Sequence, residues 1–365
     1  MRILFCGGGT AGHVNPAIAI AEETLSRFPN AEILFIGRDG GKENKSITDA
    51  GFNLQTIRIS GLKRSLSLGN ISIICTALRS VSQAKKIIED FKPDVILGTG
   101  GYVSWPVIFA GQTMKIPTAI HESNISPGLT TRLLAARCTH VFVARNETEK
   151  FLPKKAKILV VGNPIRKGFF NITRDQARHK LGIKEDEVLI ISFGGSIGAE
   201  KINNVIMDVI KNHSSKNPKV RHIHATGQRY YEQIESPFKK EKDGCVVLPY
   251  INNMPCVLKA ADIVICRCGA MTISEIMAVG VASILIPSPN VSGNHQYLNA
   301  RYLADREAAL LIEEKNLTSD RLTNLLFSLE IDKIDRKNKA KKIKELSTPN
   351  AAKIILDELI LMKKG

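Results

Sequence analysis

The sequence predicts an α/β protein made of two doubly wound domains, each with a parallel sheet. Short apolar, β-branched segments alternate with segments of helical period, which is typical of βαβ units. The chain has 365 residues, more than one hydrophobic core normally serves. A strand, a glycine-rich turn and a helix start follow one another in both halves, at residues 3–13 and 189–199. We therefore expect two Rossmann-like domains.

The hydrophobic pattern of the first half predicts seven strands and four helices. The strands are expected at Arg2–Cys6, Glu32–Gly37, Leu54–Ile59, Val95–Gly98, Thr118–His121, His140–Ala144 and Lys157–Val161. The helices are expected at His13–Phe28, Ser72–Phe91, Gly101–Met114 and Ser126–Ala136. Ligands of such sheets bind beyond the carboxyl ends of the strands, so the turns that follow these strands are the expected site.

A hinge is predicted at Gly162-Asn163-Pro164, a turn that neither strand nor helix can continue through. Residues 1–163 form the first predicted domain and residues 164–348 the second. The second contains a helix at Arg174–Leu181 and strands at Val188–Phe193, Val220–Ala225, Val246–Leu248, Ile263–Cys266, Ser283–Pro287 and Ala309–Ile312. We expect the domains to face each other across a cleft. The final segment, 349–365, carries a helix at Ala351–Met362 that either packs back on the first domain or lies on a membrane.

The charge indicates a polyanionic partner, because 51 basic and 35 acidic residues give a net charge of +16. From Ala50 to Ile88 the chain has basic residues and no acidic one, and a second basic cluster runs from Lys333 to Lys344. The seven scattered cysteines predict reduced, mostly buried thiols. We expect neither a signal peptide nor a membrane-spanning segment.

The first glycine turn offers two interpretations. Gly7, Gly9 and Gly12 have the spacing G-x-G-x-x-G, and Asp39 lies near the end of the next strand, as in a dinucleotide-dependent oxidoreductase. Glycines before a helix start also suit any diphosphate, because backbone N–H groups and the helix dipole attract anions. His13, directly after the glycines, would place a titratable imidazole at the site or would cap the helix.

Polar residues follow several other predicted strands. Ser196 lies in the second glycine turn, Glu275 lies in the first turns of a later helix, and Gln296 begins another helix. A carboxylate such as that of Glu275 can accept hydrogen bonds from two ribose hydroxyls. In the first half, Gly98–Tyr102 and His121–Asn124 also follow strands. Arg166, just past the hinge, suits a pyrophosphate or base contact.

Seven ordered motifs together resemble the MurG family of bacterial N-acetylglucosaminyltransferases. They are Gly8–His13, Gly98–Tyr102, His121–Asn124, Gly162–Arg166, Gly194–Ala199, Gly269–Glu275 and His295-Gln296. The match extends over nearly the whole chain. The sequence departs from the usual family pattern at Ala11, Ser123, Thr131 and Cys268, and Ala11 replaces a glycine.

The resemblance implies a GT-B fold, with UDP-N-acetylglucosamine bound mainly by the second domain. It implies nucleotide contacts from Ser196 and Arg166, a uracil contact from the Ile251 backbone and a ribose contact from Glu275. Gln296 would contact the sugar. The diphosphate would meet the helix start at Ala270, Met271, Thr272, Ile273, Ser274 and Glu275. The sugar and acceptor side would be lined by Thr10, Ala11, Gly12 and Asn124.

The implied reaction is inverting transfer to the C4 hydroxyl of N-acetylmuramic acid in lipid I, undecaprenyl-pyrophosphoryl-MurNAc-pentapeptide. Lipid II would be the product, used in peptidoglycan synthesis, and thus in cell-wall growth, shape and division. His13 is the candidate catalytic base, since an imidazole has an ordinary pKa near 6.5. Helix starts and Arg166 can stabilise the leaving diphosphate, so the sequence requires neither a metal nor an organic cofactor.

The lipid acceptor implies a peripheral position on the cytoplasmic face of the membrane. The segment 62–74 mixes apolar residues with Lys63 and Arg64, and is the expected contact with anionic lipid. Three alternatives remain open: a UDP-N-acetylglucosamine epimerase on the same kind of fold, a dinucleotide-dependent oxidoreductase, and a nucleic-acid binder. The last is disfavoured because aromatic residues make up only 5% of the chain and no RNA-binding signature occurs.

Overall fold

A computed structural model describes residues 1–60, 69–195, 197–234 and 237–364. Its contacts divide the chain into two compact units. Unit 1 comprises Met1–Arg166 together with Thr348–Gly365, and unit 2 comprises Lys167–Ser347. The docking segment expected at residues 62–74 lies largely outside the described residues, and so does Ser196.

The described part of unit 1 contains one seven-stranded parallel sheet in the order β3-β2-β1-β4-β5-β6-β7. Its strands are β1 (Arg2–Cys6), β2 (Glu32–Arg38), β3 (Asn53–Ile57), β4 (Val95–Gly98), β5 (Thr118–Glu122), β6 (His140–Val143) and β7 (Ile158–Val160). Its first helices are α1 (Ala11–Arg27), α2 (Asn44–Asp49), α3 (Gly69–Phe91), α4 (Ser104–Thr113) and α5 (Leu129–Leu134). Two 3-10 helices lie at Ala135–Arg137 and Asn146–Phe151. The strand order reverses between β1 and β4, which is where an open sheet forms a ligand crevice.

Both faces of this sheet are covered, because successive side chains of a strand point to opposite faces. In β1, Ile3 and Phe5 join a core that includes Ile18 of α1, whereas Leu4 and Cys6 join a core that includes residues of α3 and α4. All four β1 side chains are fully buried. The two apolar layers therefore hold β1 rigidly, and with it the turn that follows β1.

The described part of unit 2 contains a six-stranded parallel sheet in the order β10-β9-β8-β11-β12-β13. Its strands are β8 (Val188–Phe193), β9 (Val220–Ala225), β10 (Cys245–Leu248), β11 (Ile263–Cys266), β12 (Ala282–Leu285) and β13 (Leu310–Leu311). Its helices are α6 (Arg174–Leu181), α7 (Glu200–Asn212), α8 (Gln228–Tyr231), α9 (Met254–Ala260), α10 (Ala270–Val279), α11 (His295–Ala304), α12 (Ser319–Ile331) and α13 (Lys333–Glu345). Five 3-10 helices lie at Lys167–Phe169, Ser214–Lys216, Pro237–Lys239, Ser292–Asn294 and Glu314–Asn316. The order reverses between β8 and β11, so unit 2 repeats the topology of unit 1.

The last helix, α14 (Ala351–Lys364), packs against α1 within unit 1. Ile355, Leu356 and Leu359 are fully buried in the core beneath α1. Where the chain re-enters unit 1, a Cβ added to Gly162 would lie 1.8 Å from the Thr348 hydroxyl, so only glycine fits there. The apolar face of α14 thus contributes to the core of unit 1.

Most predicted elements are confirmed, and five strands agree at both ends: β1, β4, β8, β9 and β11. Two helices were predicted to start about one turn too early, and α3 begins three residues before the predicted Ser72. The helix predicted from Gly101 begins at Ser104, because Gly100 and Gly101 have φ values of 100° and 76°, which no α-helix contains. The helix predicted from Ser126 begins at Leu129, and Gly128 before it is extended, with φ −66° and ψ 161°.

Two sequence expectations about the whole chain can be compared with the described residues. Within them, no helix is long and apolar enough to span a bilayer. The six cysteines whose side chains are described are free and buried. Burial raises the pKa of the Cys138 thiol to about 11, and that of Cys268 is also raised well above its usual value by burial. These six thiols are therefore protonated and inert at neutral pH.

A buried hydrogen-bonded chain of two histidines and two serines lies inside unit 2. Ser192 Oγ lies 2.8 Å from both His222 Nε2 and His224 Nδ1, and Ser214 Oγ lies 2.9 Å from His222 Nδ1. His224 Nδ1 also lies 3.1 Å from the Ser192 carbonyl, which can only accept, so Nδ1 carries the proton. Burial lowers the pKa of His224 to about 4 and that of His222 well below its usual value.

We predict that unit 2 loses stability as the pH falls from 6.5 to 4. Unfolded His224 binds a proton below about pH 6.5, whereas the folded side chain stays neutral until about pH 4. Its contribution is therefore complete above pH 6.5 and falls by about 1.4 kcal/mol per pH unit below it, or roughly 3 kcal/mol in all. Urea unfolding followed by circular dichroism at several pH values measures this loss.

The matched variants are His224→Asn and, as a control, His179→Asn at an exposed histidine of the same unit. An Asn amide can replace the Nδ1 donor of His224 but does not titrate. We expect His224→Asn to make the pH dependence shallower, leaving the part that buried His222 contributes, and His179→Asn to leave it unchanged. An equally steep loss in His224→Asn would contradict the assignment to this histidine.

Candidate functional site

Unit 1 presents its glycine turns at the switch point between β1 and β4. The turn after β4 lies directly on the turn after β1: a Cβ added to Gly101 would be 2.0 Å from the Gly8 carbonyl oxygen. Gly9 has φ 92°, and a Cβ there would be 3.0 Å from the Tyr102 ring. Side chains at these glycines would separate the two turns. These glycines were predicted from the sequence to hold a ligand. Their direct structural role is to let the two turns pack against each other.

His13 lies in the first turn of α1 and faces the turn after β4. Its Nδ1 is 3.2 Å from the Thr99 carbonyl oxygen. A carbonyl can only accept, so Nδ1 donates, and the neutral ring has its lone pair on Nε2. A Cβ added to Gly100 would lie 2.7 Å from His13 Nδ1, so the glycine makes room for the ring. The Thr99 hydroxyl donates to the His13 carbonyl at 2.6 Å and fixes the backbone as well.

Glu43, which the sequence analysis missed, reaches the first glycine turn. Its Oε1 accepts from the Gly9 N–H at 2.6 Å, and the residue is 9% exposed. A dinucleotide pyrophosphate would need the amides of this turn, so a carboxylate in that place disfavours the oxidoreductase alternative. No local pattern marks Glu43, because it lies 34 residues from its partner.

The loop after β5 is organised by the buried carboxylate of Glu122. Its Oε1 accepts from the backbone N–H of Asn124 at 3.0 Å and from Asn124 Nδ2 at 3.2 Å. Its Oε2 accepts from the Gly128 N–H at 2.9 Å and from the Thr131 hydroxyl at 2.8 Å. Asn124 and Thr131, both noted from the sequence, are therefore held by one side chain.

The segment Gly162–Arg166 is tied to the same loop. His121 Nε2 donates to the Gly162 carbonyl at 3.0 Å, and burial lowers the pKa of His121, so the ring is neutral. Asn163 Nδ2 donates to the Ser123 carbonyl at 3.1 Å. Arg166 follows as the last residue of unit 1 and is partly exposed. Its position thus depends on the β5 loop.

Unit 2 has a second pair of interlocked glycine loops, after β8 and β9. Gly198 has φ 87°, and a Cβ there would lie 2.0 Å from the Thr226 carbonyl oxygen. A Cβ added to Gly227, whose φ is 83°, would lie 2.5 Å from the Gly198 nitrogen. These contacts fix the loop that leads into α7. The N-terminus of α7 therefore has a defined position at the carboxyl edge of the sheet.

The start of α10 is the second helix N-terminus at this edge. Ala270, Met271 and Thr272 are its first residues, and their N–H groups have no acceptor within the helix. Gly269 caps the helix without a side-chain hydrogen bond. Such an end attracts anions through its free N–H groups and its dipole. The family resemblance implies a diphosphate contact at this helix start.

The side chains of α10 divide between the core and the site edge. Met271, Ile273 and Ser274 are buried, and the Ser274 hydroxyl donates to the Ala270 carbonyl at 2.9 Å. These three can offer only backbone groups to a ligand. Thr272 and Glu275 are partly exposed.

A cavity of about 730 Å³ joins the glycine turn after β8 to the start of α10. It brings together several predicted residues: Gly194, Gly195, Gly198, Gly269, Thr272 and Gln296. No sequence motif marks its other polar and aromatic lining residues, which include Lys201, Asn204, Tyr230, Arg267, Ser288, Asn290 and Glu314. Ile251 is buried after β10 and does not line this cavity.

Gln296 is fixed in the cavity by two backbone donors. Its Oε1 accepts from the Ser288 N–H at 2.9 Å and from the Cys268 N–H at 3.3 Å. Both lone pairs of the oxygen are therefore used, and a further hydrogen bond of this side chain has to come from Nε2, which donates. Gln296 can thus contact an acceptor such as a sugar oxygen.

Among the described residues, no group of three or more His, Cys, Asp or Glu side chains is arranged to hold a metal ion.

Comparison with known proteins places the chain in a family of glycosyltransferases. The family model for the glycosyltransferase family 28 N-terminal domain matches residues 3–143, and that for the family 28 C-terminal domain matches residues 189–355. Together the two models cover most of both units, and each begins within the first strand of its unit's sheet.

Two relatives match along almost their whole length, and both are named UDP-N-acetylglucosamine–N-acetylmuramyl-(pentapeptide) pyrophosphoryl-undecaprenol N-acetylglucosamine transferase. The protein of Acetivibrio thermocellus is 42% identical over 98% of this chain and 97% of its own. The protein of Bacillus subtilis is 36% identical over 100% of both chains.

Solved structures agree on the fold. MurG of Acinetobacter baumannii superposes with a TM-score of 0.76 at 26% identity, covering 100% of this chain and 99% of that one. A UDP-GlcNAc 2-epimerase from Neisseria meningitidis, bound to UDP-GlcNAc, has a TM-score of 0.67 over 99% and 100% of the chains. At 15% identity the epimerase shares the fold only.

The fold, the two glycine-turn sites and the family models define a GT-B glycosyltransferase of family 28. Within that class, the chain belongs to the MurG family of N-acetylglucosamine transferases.

We predict that Glu122→Gln destabilises the β5 loop. Either orientation of the new amide turns its NH₂ toward a backbone N–H, of Asn124 or of Gly128, which then loses its acceptor. The expected loss is about 1–3 kcal/mol of unfolding free energy, with faster hydrogen exchange at the amide that loses its acceptor. The exposed Glu149→Gln serves as the control in the same unit. Protected Asn124 and Gly128 amides in the Glu122 variant would refute this role.

Proposed function

We propose that the chain transfers N-acetylglucosamine from UDP-N-acetylglucosamine to the C4 hydroxyl of N-acetylmuramic acid in undecaprenyl-pyrophosphoryl-MurNAc-pentapeptide, with inversion. One observation carries the proposal: relatives that match 88–100% of this chain at 36–44% identity bear the name of this transferase. The geometry of each unit supports it, because unit 2 offers a cavity suited to a nucleotide sugar and unit 1 offers an oriented imidazole.

Unit 2 binds the donor in this proposal. The N-termini of α7 and α10, both at the carboxyl edge, stabilise the diphosphate through backbone N–H groups and helix dipoles. Gln296 donates from Nε2 to an oxygen of the sugar, since its Oε1 is occupied by Ser288 and Cys268. Glu275 accepts from the ribose hydroxyls, and the Ile251 backbone contacts the uracil. Ser196 and Arg166 complete the nucleotide contacts expected from the sequence.

Unit 1 supplies the base and contacts to the sugars. Thr10 caps α1, Ala11 and Gly12 are the first residues of that helix, and Asn124 lies in the loop after β5. All four follow strands at the carboxyl edge, where α/β sheets bind ligands. His13 stands beside the glycine turn with Nε2 unprotonated in its neutral form. Asn124 is held by Glu122, so its side chain has a fixed direction.

The proposed reaction is a single displacement. His13 Nε2 removes the proton of the acceptor O4 hydroxyl as O4 attacks the anomeric carbon of the donor. The bond between that carbon and the diphosphate oxygen breaks, and UDP leaves with the electron pair. The negative charge that develops on the diphosphate is stabilised by the helix N-termini and by Arg166. The new glycosidic bond has the opposite configuration at the anomeric carbon.

The lipid acceptor requires contact with a membrane, and we propose a peripheral position at its cytoplasmic face. The support lies in the sequence: segment 62–74 combines Lys63 and Arg64 with leucines and isoleucines and contains no acidic residue. Such a composition binds anionic lipid through both charge and apolar insertion.

The relatives favour this proposal over the alternatives. The epimerase likeness is confined to the fold at 15% identity, whereas the transferase relatives match along the whole chain at more than twice that identity. Glu43 at the Gly9 amide disfavours a dinucleotide in the first turn.

A transfer assay tests the proposal directly. Purified protein is incubated with UDP-[¹⁴C]N-acetylglucosamine, with or without the lipid-linked muramyl-pentapeptide. We expect radioactive lipid product only when the acceptor is present. Conversion of the nucleotide sugar to an epimer without acceptor would support the epimerase instead and end the transferase proposal.

We predict that His13→Ala lowers kcat by roughly 10²–10⁴-fold, the usual contribution of a general base. The affinity for UDP, measured by calorimetry, should stay within about twofold of the wild type, because Nε2 acts on the acceptor hydroxyl. The control is His179→Ala at an exposed histidine of α6, which should leave kcat unchanged. Full turnover by His13→Ala would exclude His13 as the base.

We predict that the double variant Lys63→Glu, Arg64→Glu binds phosphatidylglycerol vesicles much more weakly. Each basic residue near an anionic surface contributes about 1 kcal/mol, so the loss of both costs roughly 30-fold in affinity, and the anionic surface repels the two new carboxylates in addition. The control Lys154→Glu, Lys155→Glu makes the same charge change at two exposed adjacent lysines of unit 1. Vesicle flotation measures both variants. Equal binding by wild type and the first variant would place the membrane contact elsewhere.

A further inference from the structure

Arg267, the residue directly after β11, is held on the wall of the unit 2 cavity by three acceptors. Its Nη1 donates to the carbonyl oxygens of Pro287 at 3.1 Å and Ile286 at 3.3 Å. Its Nη2 pairs with the carboxylate of Glu314. The side chains of Arg267 and Glu314 are only 13% and 17% exposed. The pair is therefore largely shielded from solvent, and both residues line the cavity.

This ion pair connects three segments that are distant in sequence. Arg267 leads into the turn Cys268-Gly269 before α10, the two carbonyls belong to the residues directly after β12, and Glu314 begins the 3-10 helix Glu314–Asn316. Gln296 makes a parallel connection, because its Oε1 bridges the N–H groups of Cys268 and Ser288. The turn that sets the direction of α10 is thus fixed from both sides.

The charges show which role Arg267 can take. A carboxylate lining a cavity that receives a diphosphate would repel it unless the carboxylate were neutralised. Arg267 neutralises Glu314, and its Nη groups are directed at protein acceptors. Because its Nη groups bind protein acceptors, Arg267 affects a bound anion indirectly, by holding the loop before α10 in place. The planar guanidinium suits this task, since it can bridge several acceptors in a fixed geometry.

We propose that Glu314 is a positioning residue for the donor: through Arg267 it fixes the Cys268-Gly269 turn, and so aims the N-terminus of α10 at the donor diphosphate. This inference rests on the proposed donor role of unit 2. Glu314 touches no reacting atom. Its loss changes how well the helix start meets the diphosphate, and the acceptor sites of unit 1 keep their own geometry.

The test compares three variants in the full chain: Glu314→Ala, Glu314→Gln and Glu313→Ala. Glu314→Ala removes the acceptor of Arg267, whereas Glu314→Gln keeps an oxygen that can accept from Nη2. Glu313→Ala is the matched control, because the neighbouring carboxylate is 44% exposed and pairs with Lys315 at the surface, 3.3 Å away. Calorimetry gives the UDP affinity, and steady-state kinetics give separate KM values for donor and acceptor.

We expect Glu314→Ala to raise the UDP Kd and the donor KM about tenfold, the size expected for a lost charged hydrogen bond and a misplaced helix start. The acceptor KM should change by less than about twofold in the same variant, because the acceptor loops belong to unit 1. We expect Glu314→Gln to stay within about threefold of the wild type, and Glu313→Ala to match it.

Unchanged UDP affinity and donor KM in Glu314→Ala, with an active wild type, would overturn this inference and leave the transferase proposal intact. An equal rise in both KM values would overturn it too, since that result indicates general damage. A wild type that binds UDP but transfers no sugar would overturn the proposed function alone, and the UDP affinities would still decide the role of Glu314. A wild type that binds no UDP would overturn both.

Discussion

Direct contact between backbones at the carboxyl edge of each sheet is the constraint on which both sites depend. In unit 1 the Gly8 carbonyl occupies the space where Gly101 would carry a Cβ, and in unit 2 the Thr226 carbonyl does the same at Gly198. Any side chain at these positions would force two loops apart, and positive φ angles add strain for residues other than glycine. The interlocking places α1 and α7, and with them His13 and an anion-binding helix start. The glycine-rich turns thus allow the loops to pack together, and this packing in turn positions the groups that can contact a ligand.

A second level of order comes from single side chains that each satisfy several backbone groups. Glu122 accepts from the amides of Asn124 and Gly128, and Gln296 accepts from those of Cys268 and Ser288. Each replaces water as the partner of N–H groups that a loop cannot pair by itself. These connections suit a binding site, because they hold loops rigidly without covering them with apolar residues.

The sequence predicts features that local chemistry determines and misses those that depend on distant contacts. Apolar, β-branched segments predict both ends of β1, β8 and β11 correctly, since such segments have to be buried on two faces of a sheet. The start of α4 was misplaced because Gly100 and Gly101 take positive φ values that only the contact with Gly8 and His13 requires. Glu43 could not be found, since its partner Gly9 lies 34 residues away, and Glu314 is 47 residues from Arg267. The positions of the glycine turns were predictable, whereas the acids that reach them were not.

The hydrogen bond from His13 to the Thr99 carbonyl connects the packing of the glycine turns with the proposed reaction, because it sets the orientation of the imidazole. A base must present its lone pair to the substrate, and a neutral imidazole can do so with only one of its two nitrogens. The backbone carbonyl after β4 selects the tautomer, and Gly100 gives the ring room to approach it. A carbonyl orients the ring without adding a formal negative charge beside it, so it would support the imidazolium of the proposed mechanism less than a carboxylate would. In the proposed mechanism the main electrostatic stabilisation therefore acts at the departing diphosphate, so the helix starts of unit 2 and the turn before α10 matter as much as the proposed base.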